Sequence, residues 1–280
     1  MHFMNIFQAA ILGILQGLAE FLPISSSGHL ELAQHLMGLS GEGSEMLLLS
    51  VLLHAGTLVA VIVVFWEDWW GILKNPFKSR TLGLLFLASL PALFVALVAD
   101  VDAFFGSGFL GIAFIITGIF LLLVERFSTR GRHARGEDQV GLRHALSMGA
   151  MQAVALMPGV SRSGSTLLGG VASGLSRKTA AKFSFMMSAP AILGSLLMEG
   201  KSAYEAGAFQ FLSENLFPVM VGVVLSAVSG YLAIRYMLKL INRISFYWFA
   251  LYVFILGAVV IALQAMGLGG LPPISLPFMG

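Results

Sequence analysis

The chain has no cysteine, and only 11% of its 280 residues are charged. Without cysteine there is no disulfide framework and no thiolate chemistry. Soluble domains carry about 25% charged residues, so an ordinary water-facing surface is excluded. The formal net charge of +2 is too small for a nucleic-acid partner, which is not expected. No zinc-ligand pattern and no nucleotide-binding loop is found. The opening "MHFMNIFQAA" lacks the basic start of a secretory signal and is read as mature sequence.

What is there instead is apolar: 58% hydrophobic residues and a mean hydropathy of +0.90. Six runs are long enough to span a bilayer, which takes about 20 residues. They are 46–66, 81–99, 108–125, 183–198, 214–234 and 246–266, the fourth short unless its helix begins nearer Thr179. Each is read as a helix, because hydrocarbon cannot satisfy open backbone groups. Trp66, Trp69 and Trp70 read as an interfacial aromatic belt.

Two further regions, 4–38 and 140–175, are apolar helices broken in the middle by Pro, Ser and Gly. The pieces after the breaks are too short to cross a hydrocarbon core of about 30 Å. The two regions are copies. An offset of 136 pairs Gly13 with Gly149, Gln16 with Gln152 and Ala19 with Ala155. It pairs Ser25, Ser27 and Gly28 with Ser161, Ser163 and Gly164, Leu32 with Leu168, and Gly38-Leu39-Ser40 with Gly174-Leu175-Ser176. That is ten identities in 28 positions, where a chain this biased gives roughly three by chance. Three spanning runs follow each copy. The chain is therefore read as one all-α, polytopic membrane domain over 1–280, with repeat one at 1–127 and repeat two at 140–266.

Charge orients it. If each broken region is a hairpin that leaves on the side it entered, the loops 67–80, 126–143, 176–182 and 235–243 share one side. They hold fourteen of the sixteen basic residues; the other side holds Lys201, and Arg162 lies in the second break. The positive-inside rule makes the basic side cytoplasmic and both termini extracytoplasmic. Each half then crosses an odd number of times, so the halves form an inverted repeat of two five-helix units: six spanning helices plus two re-entrant hairpins.

The breaks hold the chemistry. "EFLPISSSGHLEL" (20–32) gathers a carboxylate, three hydroxyls and an imidazole; "LMPGVSRSGSTL" (156–167) brings an arginine. Both turn through Ser-x-Ser-Gly into a helix, whose N-terminus attracts anions. Ser25, Ser27, Gly28, Ser161, Ser163, Gly164 and Thr166 are thus candidate phosphate contacts, and the planar fork of Arg162 suits phosphate oxygens. Gln16 and Glu20 are four apart on one helix face and offer oxygen ligands to Mg²⁺ or Ca²⁺. Ser26 is a candidate nucleophile with His29 as its base or shuttle, and His29 itself is the alternative nucleophile. Plainer roles stand beside these. Ser25 and Ser161 also fit as N-caps, Ser163 and Ser165 as packing residues, Glu20 as a structural partner of Arg162, and His54 as a structural residue alone in a spanning run. Glu31 and His35 are read as facing the outer interface.

"QGLAEFLPISSSGH" and "PGVSRSGST" resemble the bacterial undecaprenyl-diphosphate phosphatase family of the bacitracin-resistance type. Its first pattern, Glu or Gln, three residues, Glu, then Ser-Ser-x-Gly-His, falls on Gln16, Glu20, Ser25, Ser26, Gly28 and His29. Its second, Pro-Gly-x-Ser-Arg-Ser-x-x-Thr, falls on Pro158, Gly159, Ser161, Arg162, Ser163 and Thr166. The resemblance implies hydrolysis of undecaprenyl diphosphate to the monophosphate, a divalent cation, and a site in the bacterial inner membrane open to the periplasmic side, serving peptidoglycan synthesis. Phosphatidic-acid phosphatases share a Ser-Gly-His element, but require a histidine where this chain has Leu168. The partners expected are a polyprenyl diphosphate, membrane lipids and, as a candidate, a second copy of the chain. A transporter of a phosphorylated lipid or anion is the rival reading, since inverted repeats with broken helices also build transporters.

Overall fold

The computed structural model describes residues 4–39, 43–99, 107–128 and 139–274. The described residues are helical throughout, with no extended sheet. The first half holds α1 (Ile6–Phe21), α2 (Ser26–Leu36), α3 (Gly43–Val64), α4 (Trp66–Lys74), α5 (Arg80–Val98) and α6 (Leu110–Ser128). The second holds α7 (Leu142–Val154), α8 (Arg162–Ala172), α9 (Arg177–Glu205), α10 (Phe209–Glu214), α11 (Leu216–Leu240) and α12 (Phe246–Ala265). Six of these, α3, α5, α6, α9, α11 and α12, are long and apolar enough to cross a membrane. They coincide with the six runs expected. The loops at 39–45, 100–107 and 126–143 fall partly outside the described residues.

Both broken regions fold back on themselves. Helix α1 packs on α2 and α7 on α8. At about 1.5 Å per residue, arms of 16, 11, 13 and 11 residues each fall short of the bilayer core. Pro23 helps end α1: the residue before a proline is pushed from helical to extended backbone, and Leu22 sits at φ −77°, ψ 141°. Asn5 starts the same helix with a reciprocal capping box to Gln8.

The packing fits the repeat. Helix α1 of the first half lies against α11 of the second, and α7 of the second against α5 of the first. Gly13 and Gly149, equivalent by the offset, both press on backbone of the opposite half. A Cβ on Gly13 would collide with the Gly222 carbonyl, and one on Gly149 with the Ala88 carbonyl. Helices α3 and α9, and α6 and α12, pair across the same centre.

Two elements differ from expectation. Helix α9 has 29 residues and begins at Arg177, longer than the apolar run 183–198, because its ends carry charge outside the hydrocarbon. Helix α4 is a short amphipathic element inside a basic loop. Trp66 and Trp70 stack on it with ring centres 5.9 Å apart, and the Lys74 ammonium lies 5.5 Å from the Trp70 ring.

Candidate active site

Between the two breaks lies a carboxylate. Glu20 lies on the last turn of α1 with only 6% of its surface exposed, a depth at which a charge must be compensated. Four side chains from three parts of the chain surround it. Arg162, the first residue of α8, donates Nη2–H to Oε1. Oε2 accepts from the Ser26 hydroxyl at 2.6 Å and from Gln16 Nε2 at 3.0 Å. His54 of α3 brings Nε2 to 3.5 Å from that same oxygen. One carboxylate thus joins the tips of both hairpins, with Ser26 on one oxygen and Arg162 on the other.

Each tip is built by a cap. The Ser25 hydroxyl accepts from Gly28 N at 3.2 Å, and the Ser161 hydroxyl from Gly164 N at 3.1 Å. The capping role foreseen for these serines is the one seen. Ser163 donates to the Leu22 carbonyl at 3.1 Å, tying the second break to the first. The Thr166 hydroxyl lies 2.8 Å from the Arg162 carbonyl and 2.6 Å from the Ser184 hydroxyl, anchoring α8 to α9. Arg162 spends a second donor on the Ser184 carbonyl at 3.3 Å. Gly28 has no room for a side chain, because a Cβ would meet the Phe114 ring at 2.8 Å. Ser27 is exposed.

The expected partnership of Ser26 with His29 is not formed. Spacing puts both on one turn, but the imidazole points elsewhere. His29 Nδ1 lies 2.6 Å from the Ser25 carbonyl and Nε2 lies 2.7 Å from the Tyr252 hydroxyl. A carbonyl only accepts, so Nδ1 carries the proton. Ser26 finds its acceptor in Glu20 instead. His54, read from the sequence as an isolated structural residue, belongs to the cluster; its Nδ1–H donates to the Ser50 carbonyl at 2.7 Å and turns Nε2 to Glu20. The signal available for it was the cost of a histidine in an apolar run. Tyr252 was missed because it stands among the aromatics of α12, which look like interfacial anchors.

The family model described as Bacitracin resistance protein BacA matches residues 9–259. The chain belongs to this family. It is 40% identical over 267 residues to the undecaprenyl-diphosphatase of Carboxydothermus hydrogenoformans, covering 94% of this chain and 99% of that protein. It is 36% identical over 269 residues to the undecaprenyl-diphosphatase of Halothermothrix orenii, covering 94% and 100%. Undecaprenyl-diphosphatase 4 of Bacillus thuringiensis is 38% identical over 265 residues, covering 93% and 98%. The match therefore takes in both breaks of a multi-pass membrane protein.

Whether the family's expected cation fits can be judged from the donors. Among the described residues no group of three or more His, Asp or Glu side chains is disposed to hold a metal. Glu20 is the single carboxylate of the cluster and is paired with Arg162. One buried oxygen is left over: Gln16 Oε1 has no hydrogen-bond partner. A hard cation that shares oxygens with a bound anion suits that donor set; one held by protein alone does not.

Proposed function

We propose that the protein is an integral membrane phosphatase that hydrolyses undecaprenyl diphosphate to undecaprenyl phosphate and inorganic phosphate, returning the lipid carrier to peptidoglycan synthesis. The observation that carries this is the Ser26 hydroxyl held on a buried carboxylate whose other oxygen meets Arg162. That is a nucleophile, its base and a charge clamp in one contact set, inside a family whose members are named for this reaction. A transporter needs no such nucleophile.

The chemistry follows from the contacts. The Ser26 oxygen attacks the terminal phosphorus as its proton passes to Glu20. The bond from that phosphorus to the bridging oxygen breaks, and undecaprenyl phosphate leaves. Water then attacks the phosphoserine; the serine oxygen departs and takes its proton back from Glu20, giving inorganic phosphate. The Arg162 guanidinium carries the negative charge that spreads over the equatorial oxygens. The exposed Ser27 hydroxyl and the N–H groups opening α2 would offer donors to the same anion. Glu20 and the Gln16 carbonyl would hold Mg²⁺ or Ca²⁺ when diphosphate oxygens complete its shell, and the ion would screen the substrate's charge.

The charge asymmetry of the loops supports a cytoplasmic basic face, extracytoplasmic termini and a first hairpin entering from the periplasmic side. Release of phosphate from a prenyl diphosphate by the purified protein tests the activity. If folded protein binds the lipid and no phosphate appears under any divalent cation, the transporter takes its place.

A further inference from the structure

The two breaks are braced crosswise. The turn of the second break is held from α6, the last helix of the first half: Thr117 Oγ1 accepts from Ser161 N at 3.0 Å. The turn of the first break is reached from α12, the last helix of the second half, by Tyr252. Its hydroxyl lies 2.7 Å from His29 Nε2, and the two rings stack with centres 5.7 Å apart and an 18° tilt. Phe114 closes the other side of the imidazole edge-on at 5.3 Å, so the ring is clamped.

Repeat-equivalent residues make the same contact behind each turn. His29 Nδ1 reaches the Ser25 carbonyl at 2.6 Å, and Ser165 Oγ reaches the Ser161 carbonyl at 2.7 Å. The backbones differ. Ser161 has φ −65°, an ordinary cap, whereas Ser25 has φ 75°. Ser25 is the one described non-glycine residue with positive φ. Such a conformation persists only where neighbours over-determine it, and it sits one residue before the attacking hydroxyl.

We infer that Tyr252 is a positioning residue for the hydrolysis, acting through His29 on the Ser25 turn. The Tyr252 hydroxyl donates to Nε2 and thereby keeps the imidazole proton on Nδ1. That proton holds the Ser25 carbonyl, and the Ser25 backbone aims the Ser26 hydroxyl at Glu20. Without the phenol hydroxyl, the neutral ring is free to move its proton to Nε2. The Nδ1 lone pair would then face a carbonyl lone pair at 2.6 Å, and the turn would relax away from its reactive geometry. Arg162 and Glu20 keep their own contact, so the effect falls on the attack and leaves the anion's grip intact.

The inference rests on Ser26 as the attacking group. The test is steady-state phosphate release by Tyr252→Phe, which removes one hydroxyl and keeps the stacked ring. A misplaced nucleophile costs about 10²-fold in rate, so kcat should fall about that far with KM unchanged. In a Ser25→Gly background the same substitution should cost little, because glycine takes positive φ without strain. Wild-type kcat in Tyr252→Phe, or an equal loss in both backgrounds, overturns the inference. A wild-type protein that releases no phosphate sinks the phosphatase reading separately. The bracing is still readable then from the ¹⁵N resonances of the His29 ring: a mixture of tautomers in Tyr252→Phe supports it, and an unchanged Nδ1–H tautomer overturns it.

Discussion

Helices α2 and α8 are equivalent by the sequence offset of 136, yet they are packed differently. In α8 every residue from Ser163 to Val171 is buried, packed against α6, α7 and α9. In α2 only Gly28, His29 and Leu30 are buried. The same Ser-x-Ser-Gly turn thus opens one helix that is enclosed and one that is largely open. The offset that pairs Ser26 with Arg162 puts the proposed attacking group on the open copy and the proposed charge clamp on the enclosed one. A clamp must not move while charge shifts, whereas a nucleophile must be reached by a lipid. Pseudo-symmetry brings the tips together, and the divergence of single positions divides the labour.

Removing the reactive group from the open copy should have the largest effect. Ser26→Ala is expected to lower kcat by about 10⁶-fold, the scale set by loss of a nucleophile elsewhere, while the protein still binds prenyl diphosphate; near-normal turnover would move the attack to another group. Arg162→Ala, on the enclosed copy, should cost about 10³–10⁵-fold. Arg162→Lys should also be badly impaired, because an ammonium cannot bridge Glu20 and the phosphate as a fork does. If the lysine variant turns over normally, charge alone matters there. Both arginine variants should elute as folded protein on gel filtration; a misfolded Arg162→Ala would make the Glu20–Arg162 pair structural.

Chelation sharpens the comparison at the Gln16–Glu20 face. EDTA should stop turnover and Mg²⁺ or Ca²⁺ should restore it, and Gln16→Glu should keep activity; full activity after exhaustive chelation would remove the cation from the reaction. Stability separates the copies next. A Cβ on Gly169 of α8 would meet the Ser147 carbonyl at 2.7 Å. Gly169→Ala should destabilise by about 1–3 kcal/mol, whereas Leu36→Ala, at a 61% exposed position of α2, should fall within about 0.5 kcal/mol. Equal shifts in detergent melting curves would erase the distinction between the enclosed and the open copy. The smallest effect is expected from single cysteines at Glu205 and Lys239, which should leave activity untouched. An impermeant maleimide on intact cells should mark the first and spare the second; labelling of Lys239→Cys would invert the orientation.

The spanning helices were legible because hydrocarbon demands long apolar runs. The polar ends of α9 were not, because Arg177, Lys178 and Lys182 read as loop. Short α4 and α10 carry too few residues to announce themselves. In the site, Glu20, Ser26 and Arg162 were legible from the repeat offset and the two symmetric breaks. His29 was placed on the right turn and given the wrong partner, since spacing sets a face and not a rotamer. Tyr252 lies 223 residues from His29, and nothing local in α12 marks which aromatic meets the imidazole. His54 carried a cost without an address until α3 was seen beside α1.

The crossed packing also fixes when the protein becomes itself during synthesis. Helix α1 leans on α11, and the imidazole behind the reactive turn leans on Tyr252 of α12. A nascent chain that has released only its first five helices into the bilayer holds Ser26 and Glu20 but neither the guanidinium from α8 nor the phenol from α12. The contacts around Ser25, Ser26 and Glu20 are therefore completed by nearly the last segment to leave the ribosome.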